Sequence, residues 1–283
     1  MKRSELLIDC QIIKEAAQRL LAAVRMTKVE RALQPIVKIL EPRLAEGFRA
    51  QGKDVLKRLE AIRGDWPETK LEEAIDPSIW WYLIELGLAD SVGLLRDPIA
   101  AAMASAMLLG GTTAITELRL PLTFSLSNPR ATFYLQQHGG ELISQINGTT
   151  RDRIHDILVQ GSEEGWSYDT TAKAITSEFE EFAVGRPQEH IRSRAHLVAV
   201  TESSNAYGEG ELQVTMEMHG RGIDMEKSWL AADDDKVCEK ICIPNVEAGW
   251  IPVNQKFPSG HMRYPGHPAC RCGMLQRRVK TRA

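Results

Sequence analysis

Five side chains able to bind a soft or borderline metal crowd near the end of the chain: Cys238, Cys242, His267, Cys270 and Cys272. Structural zinc takes four thiolate or imidazole donors in a tetrahedron at about 2.0–2.3 Å, so any four of the five suffice in number. The four-residue step from Cys238 to Cys242 places both on one side of a helical turn. Cys270-x-Cys272 sends both thiols to one face only along a regularly alternating strand, and His267 must then reach in from a separate turn. Three outcomes stay open on spacing alone: zinc, a disulfide formed on oxidation, or free packed thiols. Asp9, Lys14 and Glu15 interrupt the N-terminal stretch where a secretory signal needs an unbroken apolar core, so export by that route is not expected. In a reducing compartment, clustered thiols more often mean metal than a disulfide framework.

Other groups carry less. Glu202, in the run Thr201-Glu202-Ser203-Ser204-Asn205, has the chemistry of a general base or a water-orienting carboxylate. The simpler expectation is a helix-terminal carboxylate that holds an arginine or backbone amides, and Arg271, set between two cysteines, is the partner it suggests. Asp233-Asp234-Asp235 has the composition of a cation site but reads better as an acidic turn. The histidines other than His267 lack paired-ligand spacing. No glycine-rich phosphate loop, Gly-x-Ser-x-Gly elbow or His-Glu-x-x-His helix is present.

The elements that must position these groups are mainly helical. Leu6, Cys10, Ile13, Ala17, Leu20 and Val24 form one apolar stripe, and Leu40, Leu44, Phe48, Val55, Leu59 and Ile62 form another with a seven-residue gap. Pro35 and Pro42 suggest kinks or first-turn positions, and Gly64 to Pro67 break the pattern. Residues 78–96, with Trp80, Trp81, Leu83, Ile84, Leu86 and Leu94, read as a short helical pair whose first member ends at Gly87. Residues 98–116 are uncharged and long enough for a membrane span. Their Ala, Ser and Thr content and the Gly110–Gly111 pair point instead to a close-packed helix with an Ala/Met face, without stable membrane insertion.

Residues 118–132 read as a connector containing a domain boundary. Thr149 or Thr150 is expected to cap a helix carrying Ile154, Ile157 and Leu158 to Gly161. Ser167 caps the next, with Ala172, Ile175 and Phe179 on one face. A third helix is expected from Pro187 through Ile191, Ala195, Val198 and Ala199 to about Tyr207. Extended, turn-rich chain follows Gly222, around Trp229, Leu230 and 249–253. The fold class expected is therefore mainly α with a small β-containing C-terminal region (α+β): a helical arm at 1–66, a helical middle at 67–132, and a compact domain at 133–283.

The chain has 283 residues, 43% hydrophobic and 26% charged, which argues against a disordered, collagenous or polytopic membrane protein. Its net charge of -3 conceals segregation. Residues 1–70 hold 15 basic and 10 acidic side chains, residues 261–283 hold six basic and none acidic, and the intervening chain holds 14 and 28. Basic ends suit contact with nucleic acid or an acidic protein.

The order Arg194-Ala195, Thr201-Glu202, Ala206-Tyr207, Trp229, Asp234, Val237-Cys238, Cys242, Phe257, Gly260 and His267-Pro268-Ala269-Cys270-Arg271-Cys272 resembles the phage Mu F-like head morphogenesis (minor head, or minor capsid) proteins. The resemblance extends back to the helices at 149–180, and residues 40–59 are similar to the helical start of such proteins. The chain departs at Val200, where the family often carries arginine, and in a Cys-x3-Cys spacing one residue longer. The resemblance implies a structural, non-enzymatic component of a tailed-phage head. Its place would be at or inside the portal vertex of the virion, and in the host cytoplasm during assembly. The implied partners are the portal protein, the scaffold or major capsid protein, and packaged DNA met by the basic arm and tail. The alternative is a metal-dependent hydrolase or toxin-type transferase using Glu202 and the Cys/His cluster. Against it stands the short stretch after Cys272, where no effector extension is expected.

Overall fold

Thr27 and Glu30 fix the start of the first helix reciprocally. The Glu30 N–H donates to the Thr27 hydroxyl (3.2 Å) and the Thr27 N–H to the Glu30 carboxylate (2.7 Å). The computed structural model describes residues 27–61, 77–164, 166–184, 193–232 and 237–279. The stripe from Leu6 to Val24, the break at 64–67, the Trp80 and Trp81 side chains, Pro187 and Asp233–Asp235 lie outside what is described. Within it the protein is mainly helical, with one small antiparallel sheet near the C-terminus. The helices are α1 (Lys28–Glu60), α2 (Pro77–Asp90), α3 (Val92–Glu117), α4 (Pro129–Glu164), α5 (Tyr168–Val184), α6 (Arg194–Gly220) and the short α7 (Cys242–Glu247). The strands are β1 (Met225–Leu230), β2 (Trp250–Pro252) and β3 (Gly273–Arg278).

The chain forms two compact units, Pro35–Val214 and the pair of segments Met1–Gln34 and Thr215–Ala283. This division differs from the boundaries at 66 and 132 suggested by composition. Residues 118–128 join α3 to α4 inside one unit, because Leu120 and Phe124 are buried there.

In the helical unit the apolar stripe of α1 is buried at Leu40, Leu44, Phe48, Val55 and Leu59. The gap in the stripe is a contact rather than a break. Gly52 lies so close to the Phe179 ring that a Cβ would sit 2.7 Å from it, and buried Gln51 donates to Asn147 Oδ1 at 3.2 Å. Helix α1 continues through Pro35 and Pro42. Helix α2 also continues through Gly87, where a Cβ would lie 3.0 Å from the Val55 side chain.

Helix α3 is long and apolar enough to cross a membrane by length and composition. Leu95, Ile99, Ala102, Met103, Ala106, Met107, Gly110, Gly111 and Ala114 are buried in the protein, the Ala/Met face expected. The helix is not interrupted at Gly110–Gly111, because both glycines serve packing. A Cβ on Gly110 would lie 2.0 Å from the Tyr207 carbonyl oxygen, and one on Gly210 would lie 2.2 Å from that of Met107. Backbones of α3 and α6 therefore touch directly at these two points.

Thr149 and Thr150 are not caps. They sit inside α4, and their hydroxyls donate back to the Gln145 and Ile146 carbonyls at 2.9 Å each. In mid-helix that i−4 bond is the one available to a threonine. Ser167 does cap α5, its hydroxyl accepting from the Thr170 N–H at 3.2 Å. Helix α6 runs to Gly220, well past Tyr207, since its buried stripe continues through Leu212, Val214 and Met218. Arg194 anchors its start, donating to the Ile146 carbonyl (2.9 Å) with its guanidinium 4.4 Å from the Phe182 ring centre.

In the other unit the sheet has the order β2-β1-β3, both pairings antiparallel. Period-two alternation puts Met225, Lys227 and Trp229 of β1 together on its buried face. Trp229 stands opposite Met274 of β3.

Candidate metal centre

The donors come from two places: the start of α7, and the loop that returns the chain from β2 to β3. Cys242 is the first residue of α7 and fully buried. The preceding turn closes on the Cys238 carbonyl, which accepts from the N–H groups of Cys242 (2.9 Å) and Ile243 (3.2 Å). The return loop is fastened at several points. Asn245 of α7 accepts the Ser259 N–H at 3.0 Å and donates to its hydroxyl at 2.8 Å. Lys227 of β1 donates to the Met262 carbonyl at 2.6 Å. Gly266 passes so near Ile241 that a Cβ would lie 2.6 Å from that side chain. Ala269 takes a left-handed φ of 54°, and the turn closes as the Cys270 N–H donates to the His267 carbonyl at 3.2 Å. This turn brings Cys270 and Cys272 in under α7, each 3% exposed.

The sulfurs of Cys242, Cys270 and Cys272 all lie within 4.8 Å of one another, with Cys242 and Cys270 3.8 Å apart. None of the described cysteines is bridged. His267 points its Nε2 at the Cys242 sulfur, 3.5 Å away, while its Nδ1 lies 2.9 Å from the Pro268 carbonyl. A carbonyl only accepts, so the proton belongs on Nδ1, and the Nε2 lone pair faces the sulfurs. That is the usual arrangement of an imidazole prepared as a ligand, its second nitrogen tied to a backbone carbonyl.

Hydrogen bonds from the Cys242 and Cys272 sulfurs draw the Cys270 thiol down, against the opposing effect of burial. Cys242 is pushed up, since its proton is held by Cys270 and Cys272 and its surroundings are dry. The Cys272 thiol is pushed up on balance, since the hydrogen bond with Cys242 that lowers it is outweighed by that with Cys270, by burial and by the Cys270 charge. Trp229, 2% exposed, has no hydrogen-bond partner for its indole N–H.

Of the five expected donors, the structure therefore gathers Cys242, Cys270 and Cys272, with His267 at the edge of the group. Cys238 is set apart. It is partly exposed, and its thiol is lowered chiefly by the Ile241 N–H pointing at its sulfur, with smaller help from Lys240, His267 and Cys242. The three buried cysteines form a group able to hold a metal ion.

Glu202 and Arg271 each meet another partner within their own unit. Glu202 is buried in mid-α6, where it meets His138 Nε2 at 2.8 Å and accepts from Asn205 at 3.4 Å. Arg271 reaches Glu30 at 3.8 Å. Glu202 thus holds an imidazole, rather than the arginine or backbone amides expected. Tyr134 stacks on that imidazole at 5.1 Å. The sequence offered no signal for this pairing across 64 positions. For Lys227 a signal existed, a lysine at the alternating position between Met225 and Trp229. No family model matches the chain, and no curated protein or solved structure matches it.

Proposed function

We propose that the chain is a minor head protein of a tailed phage, a structural component at the portal vertex that aids head assembly, DNA packaging or delivery. Its C-terminal unit would be fastened by one zinc ion on Cys242, Cys270, Cys272 and His267. The observation that carries this reading is what the residues of the HPACRC resemblance do. Cys270 and Cys272 of that run join Cys242 in a buried group of three thiols, and the half-buried His267 at its edge turns Nε2 toward the Cys242 sulfur at 3.5 Å. Catalytic zinc keeps a position open for water or substrate, whereas structural zinc takes all four ligands from the chain. With His267 as the fourth ligand all four donors would come from the chain, which favours a structural role over the metal-dependent hydrolase. Soft thiolates with one imidazole select zinc over the hard cations that prefer oxygen. The segregated charge adds support: the basic arm and tail suit phosphate contacts, and the acidic middle suits a protein or solvent boundary.

Mass spectrometry and negative-stain localisation on purified proheads and mature heads test the role, and absence from both overturns it. Elemental analysis of protein purified under reduction tests the metal, with one zinc per chain expected. A chelator should also lower the melting temperature, because an ion bound only by the folded chain adds to its stability.

A further inference from the structure

The sheet has two edges, and they are finished differently. Strand β2 is three residues long, and the Val253 N–H just after it donates to the Met225 carbonyl at 3.0 Å. Antiparallel alternation then turns the backbone groups of Trp250 and Pro252 away from β1, and proline offers no donor there. Strand β3 is six residues long and contains no proline. The Val279 N–H donates to the Asp224 carbonyl at 2.9 Å, so the backbone groups of Leu275 and Arg277 face β1 and those of Met274, Gln276 and Arg278 face outward. Among the described residues nothing pairs with these outward N–H and C=O groups.

Such a row is a template for another extended chain, which natural sheets commonly guard with proline, short strands or charge. Here the guard is incomplete. Arg277 is drawn across the sheet, 2.8 Å from Glu226 and 4.0 Å over the Trp250 ring, while Leu275 is 43% exposed at the edge, on the same face as Leu230. Arg278 is exposed at the strand end, in a stretch, 261–283, that holds six basic side chains and none acidic. That charge opposes a second copy of β3, whose own basic residues would come alongside, and favours an acidic strand. We propose that the outward edge of β3 takes one added strand from a partner protein, an extended acidic segment. Its backbone pairs with Met274, Gln276 and Arg278, an apolar side chain rests beside Leu275 and a carboxylate lies beside Arg278. This inference is independent of the metal reading.

The test is carried out on the full chain under reduction, with a capped synthetic peptide of alternating Glu and Val as the probe. Amide hydrogen exchange followed by NMR should show the Gln276 and Arg278 N–H groups slowed by the peptide, with those of Leu275 and Arg277 slow whether or not it is present. Arg278→Pro removes an outward donor together with the charge, and Arg278→Gln removes the charge alone. The proline variant should therefore bind the peptide about 2- to 10-fold more weakly than the glutamine variant. Where Arg278→Pro fails to fold, a fully N-methylated peptide, equally acidic but unable to donate, makes the same comparison from the partner's side. Equal binding in these comparisons means charge attraction without strand addition and overturns the inference. So does protection of Gln276 and Arg278 that appears without peptide as the chain is concentrated, which places a second copy on the edge. Equal protection by a Lys-Val peptide, or protection by duplex DNA alone, overturns it as well.

Discussion

Lys227 is enclosed by protein, 0% exposed, and among the described residues no carboxylate lies within ion-pair reach of it. Its ammonium donates to one carbonyl, that of Met262 at 2.6 Å, and lies 5.1 Å from the centre of the Phe257 ring. Burial lowers its pKa from 10.5 to about 8. At about 1.36 kcal/mol for each tenfold change in proton affinity, that descent sets an upper figure of about 3 kcal/mol. The sign follows from proton counting. Below pH 8 both the folded and the unfolded chain are protonated at this site, and the folded chain bears the whole cost of the buried charge. Between the folded value of about 8 and the unfolded value of 10.5, the unfolded chain binds more protons, so this group's contribution to stability rises with pH. Lys227→Met, of similar volume, removes the titration. At about pH 7 the variant escapes the charge but leaves the Met262 carbonyl without its donor, costing about 1–3 kcal/mol, so the two effects largely cancel. The discriminating quantity is the pH dependence, read by urea denaturation of both proteins under reduction. Cysteine thiols titrate in the same range in each, so the difference between the two curves isolates Lys227. Between about pH 7 and about pH 11 the wild type should gain about 3 kcal/mol on the variant, and parallel curves would refute the reasoning.

Ala269→Gly should raise stability by about 0.5–1 kcal/mol, since an alanine at φ 54° bears the left-handed cost that glycine avoids, less glycine's extra unfolded-state freedom. A lower melting temperature would show that the turn is not strained. Gly110→Ala should cost about 3 kcal/mol or more, because its Cβ would meet the Tyr207 carbonyl oxygen at 2.0 Å, backbone against backbone. Gly148→Ala, also within a helix but with nothing within 4 Å, should stabilise by about 0.5–1 kcal/mol in the same denaturation assay. For a DNA role of the tail, Arg278→Glu is the clean probe, since Arg278 is exposed. Arg277, by contrast, is tied to Glu226 at 2.8 Å and stacked 4.0 Å over Trp250, so reversing it disturbs the sheet. In the Arg278 variant the salt slope of DNA binding should shrink by about one phosphate contact with the melting temperature unchanged.

How far the fold could be read depended on what each signal measures. Apolar stripes report which face is covered, and they located α1, α5 and α6 through Leu40, Ile175 and Ala199. Breakers and caps misled wherever a residue's usual local role was taken over by a tertiary contact. Gly87, Gly110 and Gly111 resemble helix ends in sequence, yet each removes a side chain where another element must come close. Thr149 and Thr150 resemble caps, but a threonine that returns its proton to the i−4 carbonyl is accommodated inside a helix. Ser167 shows the contrast: the residues before it supply no continuing helix, and its hydroxyl takes an amide N–H.

The candidate metal centre divides along the same line. Residue type showed that thiols and an imidazole were present in sufficient number, because donor chemistry belongs to the residue. Spacing could not show which of them converge, because the two clusters meet only through a loop whose path is fixed elsewhere. A four-residue step suggested that Cys238 and Cys242 act together, but the turn ahead of α7 consumes that step. It directs the Cys238 carbonyl to the helix's first N–H groups and leaves the Cys238 sulfur outside, while Cys242 turns inward. Cys270 and Cys272 reach the same point through contacts with no sequence-local trace: Lys227 on the Met262 carbonyl, Gly266 against Ile241, and the left-handed Ala269. The centre is therefore only as well placed as its return loop. Damage to the Lys227, Gly266 or Ala269 contact should weaken metal binding with every donor intact, whereas loss of Cys238 should leave the donor set whole.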